Sequence, residues 1–154
     1  MRVGYQDFID ALAAYLEAAF TERVEAWNAL GGEVQLEDIA EWGGTTAVLQ
    51  GCQSYPACII LPSGRRMSAA SPYFTRYRVT VGIALTGNDP PYLVRQGQAW
   101  EDILEDSIRS DWSLGGACLD TGATGDISSD WASDLYVISC ELECELDLGG
   151  YVYG

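Results

Sequence analysis

From Tyr5 to about Leu30, apolar residues recur at helical spacing. Tyr5, Phe8, Ile9, Leu12, Leu16, Ala19, Phe20, Val24 and Trp27 share one stripe. Thr21-Glu22 offers a point of interruption, since Thr favours a helix start, and Gly31-Gly32 ends the element. A second helical stripe follows Gly87-Asn88-Asp89-Pro90-Pro91, where prolines suit a first turn. In it Trp100, Ile103, Leu104, Ser107 and Ile108 line one face, and Glu101, Asp102, Glu105, Asp106 and Arg109 line the other. Asp111-Trp112-Ser113-Leu114-Gly115-Gly116 breaks the period, and the paired glycines permit backbone turns that a side chain forbids.

Between and after the helices the period falls to two. Glu33 to Glu41 fits either strand or loop, and Gly43-Gly44 reads as a turn. Short strands are predicted at Thr45–Leu49 and Ala57–Leu61, split by a loop from Gly51 to Pro56. Pro62-Ser63-Gly64-Arg65-Arg66 reads as a turn or long hairpin tip. Tyr73 to Thr86 is the clearest strand: Tyr73, Tyr77, Val79, Val81, Ile83 and Leu85 alternate with Phe74, Arg76, Arg78, Thr80 and Ala84. A short strand at about Ala117–Asp120 and a Gly/Thr/Asp/Ser loop precede a last strand, Leu135–Leu148. There Tyr136, Ile138, Cys140, Leu142, Cys144 and Leu146 oppose Ser139, Glu141, Glu143, Glu145 and Asp147. The order predicts one α+β domain over 1–154, with a mostly antiparallel sheet and both helices on one face. If the two long strands pair, Arg76 and Arg78 sit across from part of the acidic row and offset two of its four carboxylates. The rest then point to solvent or to another subunit.

Composition narrows the partners. The chain has 154 residues, a net charge of −15 and no His. Clustered cations that would hold phosphate on the outer surface are missing. Neither a signal peptide nor a membrane-length apolar run is visible, so a cytosolic origin with reduced thiols is expected. Without His the usual general base and triads are gone. Glu101 with Glu105 and Asp102 with Asp106 form carboxylate pairs at helical spacing, best read as a solvated face. Of the five Cys, Cys140 and Cys144 lie ~13 Å apart on one strand face, too far to bond. Cys52 and Cys58 straddle a Pro turn and are either a disulfide or two buried thiols. No spacing suggests zinc, and no metal or cofactor is expected.

Asp120-Thr121-Gly122-Ala123, preceded by Cys118-Leu119, copies the signature of retroviral-type aspartic proteases, whose two Asp share a proton across a dimer. The upstream helices do not fit that all-β enzyme, and the simpler reading is a strand end running into a Gly-rich turn. Arg65-Arg66 is the one adjacent basic pair, a candidate contact with an acidic partner. Trp112 and Trp131 flank loops and are better interface candidates than Trp100. Gly149 to Gly154, with Tyr151 and Tyr153, is a frayed tail or an arm that orders on a neighbour.

Taken together, several stretches resemble the tail terminator (tail completion) proteins of long-tailed bacteriophages. These are the amphipathic N-terminal helix, Tyr55-Pro56 before an apolar strand, and the Arg-rich strand Arg76 to Leu85. Trp100-Glu101-Asp102-Ile103-Leu104, the segment Asp111 to Gly116 and the alternating last strand complete them. The resemblance implies a structural, non-enzymatic virion protein, assembled in the host cytoplasm. Its homo-hexameric ring would cap the tail tube, end tube polymerisation and join the head connector. Partners are then the tail tube protein, the neck proteins and the genome DNA, which passes through the lumen without specific binding; no membrane is involved. Another head–tail connector or neck component is the nearest alternative, and a dimeric aspartic protease using Asp120 the alternative of a different class. In a ring, Glu141, Glu143, Glu145 and Asp147 would face either the lumen, repelling DNA phosphates, or a subunit interface.

Overall fold

A computed structural model describes residues 4–43, 52–67, 74–122 and 125–147. Helix α1 spans Tyr5–Ala29 and runs through Thr21-Glu22 without a break. Its stripe of Phe8, Ile9, Leu12, Leu16, Phe20 and Val24 is buried. The Gly4 N–H donates to Asp7 Oδ2 at its start. Gly31, at φ +72°, turns the chain out of it. The segment after α1 stays irregular up to Ala40, pinned by Asn28, whose side chain bonds both the N–H and the C=O of Leu36 at 2.8 Å.

The sheet runs β1–β2–β3–β6–β4. Strand β1 (Glu41–Gly43) pairs parallel with β2, so Gly43 extends a strand instead of opening a turn. The predicted strand Thr45–Leu49 lies outside the described residues, as do Tyr73, Leu148 and the C-terminal segment with Tyr151 and Tyr153. Strand β2 spans Ala57–Met67, well past Leu61. The expected turn at Pro62 to Arg66 is instead a register shift between Pro62 and Gly64, after which pairing with β3 (Phe74–Leu85) resumes. Pro62 cannot donate to a ladder, and Gly64, at φ +129°, takes a backbone angle that other residues avoid.

Strand β6 (Leu135–Asp147) pairs antiparallel with β3 over its whole length, with Arg76 opposite Glu145 and Arg78 opposite Glu143. The outer edge of β6 carries two short strands, β4 (Asp120–Gly122) and β5 (Ser128–Ala132). Strand β4 begins where the sequence pattern ended its strand, because Leu114, Gly115 and Gly116 all take positive φ and spend three more residues turning. Strand β5 falls inside the expected loop. Its Ser-Ser-Asp start has little strand preference, but a two-residue link to β6 supplies a full row of backbone partners.

Helix α2 (Pro90–Arg109) opens with Asp89 accepting from the Tyr92 N–H at 3.3 Å and buries Leu93, Gly97, Trp100, Ile103, Leu104 and Ile108. Both helices pack on the same face of the sheet, in one core with Tyr77, Val79, Val81, Ile83, Ile138, Leu142 and Cys144. Trp100 lies at its centre, edge-on to Phe20 with ring centroids 5.4 Å apart. The architecture is α+β with a mostly antiparallel sheet. No helix among the described residues is long and apolar enough to cross a membrane.

Candidate functional site

The sheet face opposite the helices is half apolar and half charged. At its apolar end Ala57 and Ile59 of β2 are covered by Cys52, with Tyr55 and Leu61 against them. Toward Met67 the same face carries Arg66, Arg76, Arg78, Glu141, Glu143, Glu145 and Asp147, because alternation along each strand sends one residue in two to this side. Register then sets charge against charge. Arg76 lies 3.6 Å from its direct partner Glu145. Glu143 is not reached by Arg78, its partner in the ladder. Arg66 approaches it instead, at 3.6 Å from two strands away. Arg78 Nε and Glu143 Oε1 are both buried and make no hydrogen bond. Gly64 suits the arrangement: a Cβ there would stand 3.2 Å from Arg78 Nη2 and press on the guanidinium.

Two of the four β6 carboxylates thus sit against arginine. Glu141, opposite Thr80, and Asp147, opposite Phe74, are exposed. Three arginines against four carboxylates make this face mixed rather than uniformly acidic. Arg76 and Arg78 were expected across from the acidic row, and the register places them there, but it is Arg66 and not Arg78 that meets Glu143. Arg66 was not read as part of this network; it belongs there because the bulge in β2 shifts it onto this side.

Strand alternation separates the Arg65-Arg66 pair, and the bulge sets which of the two takes which face. Arg65 falls on the helix side, opposite Tyr77. Its guanidinium lies 4.9 Å from the Tyr77 ring centre and 5.3 Å from that of Tyr5. Those two rings stack at 4.1 Å, and the Tyr5 hydroxyl bonds the carbonyls of Gly64 and Arg78. The pair expected at a hairpin tip is therefore two in-strand residues with different partners.

Trp112 and Trp131 are the exposed tryptophans, at 45% and 41%, whereas Trp100 is buried. Trp131 rests on Tyr136 at 4.9 Å. Trp112 sits on the turn after α2. Its wall is held by Asp111, which accepts from the Ser113 hydroxyl (2.7 Å) and from the Ser113 and Gly115 N–H groups. Those donors, the Ser113 hydroxyl first, hold the Asp111 carboxyl below its ordinary range. Trp112 also lines a cleft of about 630 Å³ between α2 and the β4–β5 segment, with Glu101, Asp102, Glu105, Asp126 and Leu142 around it. The α2 carboxylates do not act as pairs. Glu101 accepts from Ser129 Oγ at 2.6 Å, Glu105 bridges Arg109 at 3.0 Å, and Asp106 bridges Arg23 at 2.7 Å. The cleft was missed because its walls come from three separate stretches.

Asp120 stands exposed on the short edge strand β4, opposite Glu145 on the sheet, while the next residue, Thr121, is buried. No disulfide joins Cys52 to Cys58: Cys52 packs in the small open-face cluster and Cys58 in the main core. Among the described residues no group of three or more Cys, Asp or Glu converges as a metal site. No family model matches the chain, and no curated protein matches it in sequence.

Proposed function

We propose that the chain is a structural subunit of a phage tail, a tail terminator whose hexameric ring caps the tail tube and meets the head connector. The observation that carries the reading is the one-sided packing of α1 and α2. It leaves a broad sheet face, partly charged and partly apolar, for a neighbouring subunit. Mixed charge on that face suits an interface better than a DNA-repelling lumen, because Arg66 and Arg76 offset part of its acid and a neighbour meets less repulsion there than on a uniformly acidic row. The lumen role then passes from the β6 row to the acids of α2, the half-buried Glu101 and the exposed Asp102, Glu105 and Asp106. A surface rich in carboxylates gives DNA phosphates nothing to hold. Trp112 and Trp131 are exposed aromatic anchors of the kind interfaces use.

Native mass spectrometry and negative-stain imaging of the chain, alone and with preformed tail tubes, test this. Channelled six-fold rings, free or on tube ends, with a mass six times the 16.7 kDa protomer are expected. A stable dimer without a channel that ignores tube ends refutes it.

A further inference from the structure

Beneath the Trp112 turn two thiols meet. Cys118 Sγ lies 3.5 Å from the Ser113 carbonyl oxygen, 3.7 Å from that of Trp112 and 3.7 Å from Thr121 Oγ1. Cys144 Sγ lies 4.0 Å from the same Thr121 oxygen, so one hydroxyl stands against both sulfurs. Thr121 is the register partner of Cys144 across β4 and β6, which fixes the depth of the group. Its own proton goes to the Trp112 carbonyl at 2.8 Å, so its oxygen faces both sulfurs as an acceptor. No sequence spacing announced this pair, because Cys118 reaches Cys144 only after the Gly115-Gly116 turn and the return into β4.

We propose that Cys118 and Cys144 are a disulfide-forming pair, oxidised by a low-molecular-weight disulfide when the protein meets a non-reducing medium. Cys118 is the outer member, 8% exposed beside exposed Gly116 and Leu119, and Cys144 is fully buried. The Cys118 thiolate attacks one sulfur of the reagent and expels a thiolate, leaving a mixed disulfide. That leaving thiolate takes the Cys144 proton, and Cys144 then attacks the Cys118 sulfur and expels the second thiolate, which water protonates. Two protein thiols are oxidised and one reagent disulfide is reduced to two thiols. The order of attack agrees with the acidities. The neighbouring Cys144 thiol holds the Cys118 thiol below its ordinary range, whereas burial raises Cys52 to about 11 and Cys140 to about 12. The bond would tie the segment presenting Trp112 to the middle of the sheet.

The test treats the full folded chain with glutathione disulfide at pH 8, quenches with acid, alkylates under denaturing conditions and weighs the product. The expected product has lost two of its five alkylable thiols, and a non-reducing digest joins the Cys118 and Cys144 peptides. Cys144→Ser is expected to stop at a glutathione adduct on Cys118, and Cys118→Ser to form no link. Retention of all five thiols, a link between other cysteines, or a lasting Cys118 adduct in the unaltered chain overturns the proposal.

Discussion

Gly97 of α2 packs directly against the Tyr136 ring of β6, and replacing it with alanine sets two known effects against each other. A Cβ at this position would stand 2.3 Å from Tyr136 Cε2 and 2.8 Å from Cδ2. Carbon atoms rest about 3.5–4.0 Å apart, so the ring must retreat by more than an ångström. Trp131 packs against that ring, with centroids 4.9 Å apart, and Tyr136 itself is 9% exposed. Retreat therefore disturbs the β5–β6 hairpin. Helix propensity favours Gly97→Ala by about 1 kcal/mol. Overpacking of a filled core costs about 1–3 kcal/mol, and a contact this short belongs in the upper half of that range. The net expectation is a loss of about 1–2 kcal/mol, which lowers Tm by about 2–8 °C in a chain of this size. Urea and thermal unfolding followed by circular dichroism measure it. In a Tyr136→Leu background the obstacle is gone, and Gly97→Ala should become neutral or stabilising by up to about 1 kcal/mol. A Tm that rises in the unaltered background, or an equal effect in both, refutes the reasoning.

Arg65→Ala should cost about 0.5–1 kcal/mol through the lost stack on Tyr5 and Tyr77, whereas Arg66→Ala should cost more, about 1–3 kcal/mol, because it takes the facing cation from the buried Glu143 Oε1; an Arg66→Ala urea midpoint at or above that of Arg65→Ala would contradict the ranking. Trp112→Ala should leave the unfolding midpoint of the protomer within about 0.5 kcal/mol of the parent, as for other exposed positions, yet reduce the ring fraction seen by native mass; unchanged rings would remove Trp112 from the interface. Asp111 has a depressed pKa, so its contribution to stability is present above its ordinary range and is lost as pH falls through the lower folded value. Acid unfolding curves of Asp111→Asn and the parent should accordingly converge at low pH and diverge at neutral pH, and a constant gap would exclude the linkage.

Long elements with a strong period were legible. The α1 stripe, the α2 face and the β3–β6 pair follow from apolar spacing alone, since each buries its whole apolar set on one side. Elements whose geometry depends on a distant partner were not legible. Pro62 to Arg66 has the composition of a turn, yet the neighbouring strand offers it a ladder and the chain accepts it with one irregular step. Being in a strand puts Arg65 and Arg66 on opposite faces, and that single step decides which face each takes, so a basic pair in sequence is not a basic patch in space. Ser128–Ala132 has a single strand former, Trp131, and is a strand because β6 lies beside it. The Cys118–Cys144 contact depends on three successive left-handed residues, Leu114 to Gly116, which no periodicity encodes.

Every cation of the chain is an arginine, and the described ones are mostly engaged within the protomer. Arg23, Arg66, Arg76, Arg95 and Arg109 each face a carboxylate, and Arg65 faces two aromatic rings. What a partner meets from outside is therefore the excess acid, part of a net charge of −15. Bringing such protomers together works against repulsion that salt screens, with a Debye length of about 10 Å at 0.1 M and about 3 Å at 1 M. Self-association should strengthen as ionic strength rises, the reverse of phosphate binding, where added salt weakens the complex. Sedimentation across a series of salt concentrations separates the two. Rings that dissolve at high salt would mean that attractive Arg–carboxylate contacts across the open sheet face outweigh the repulsion between whole protomers, and that the apolar anchors contribute little.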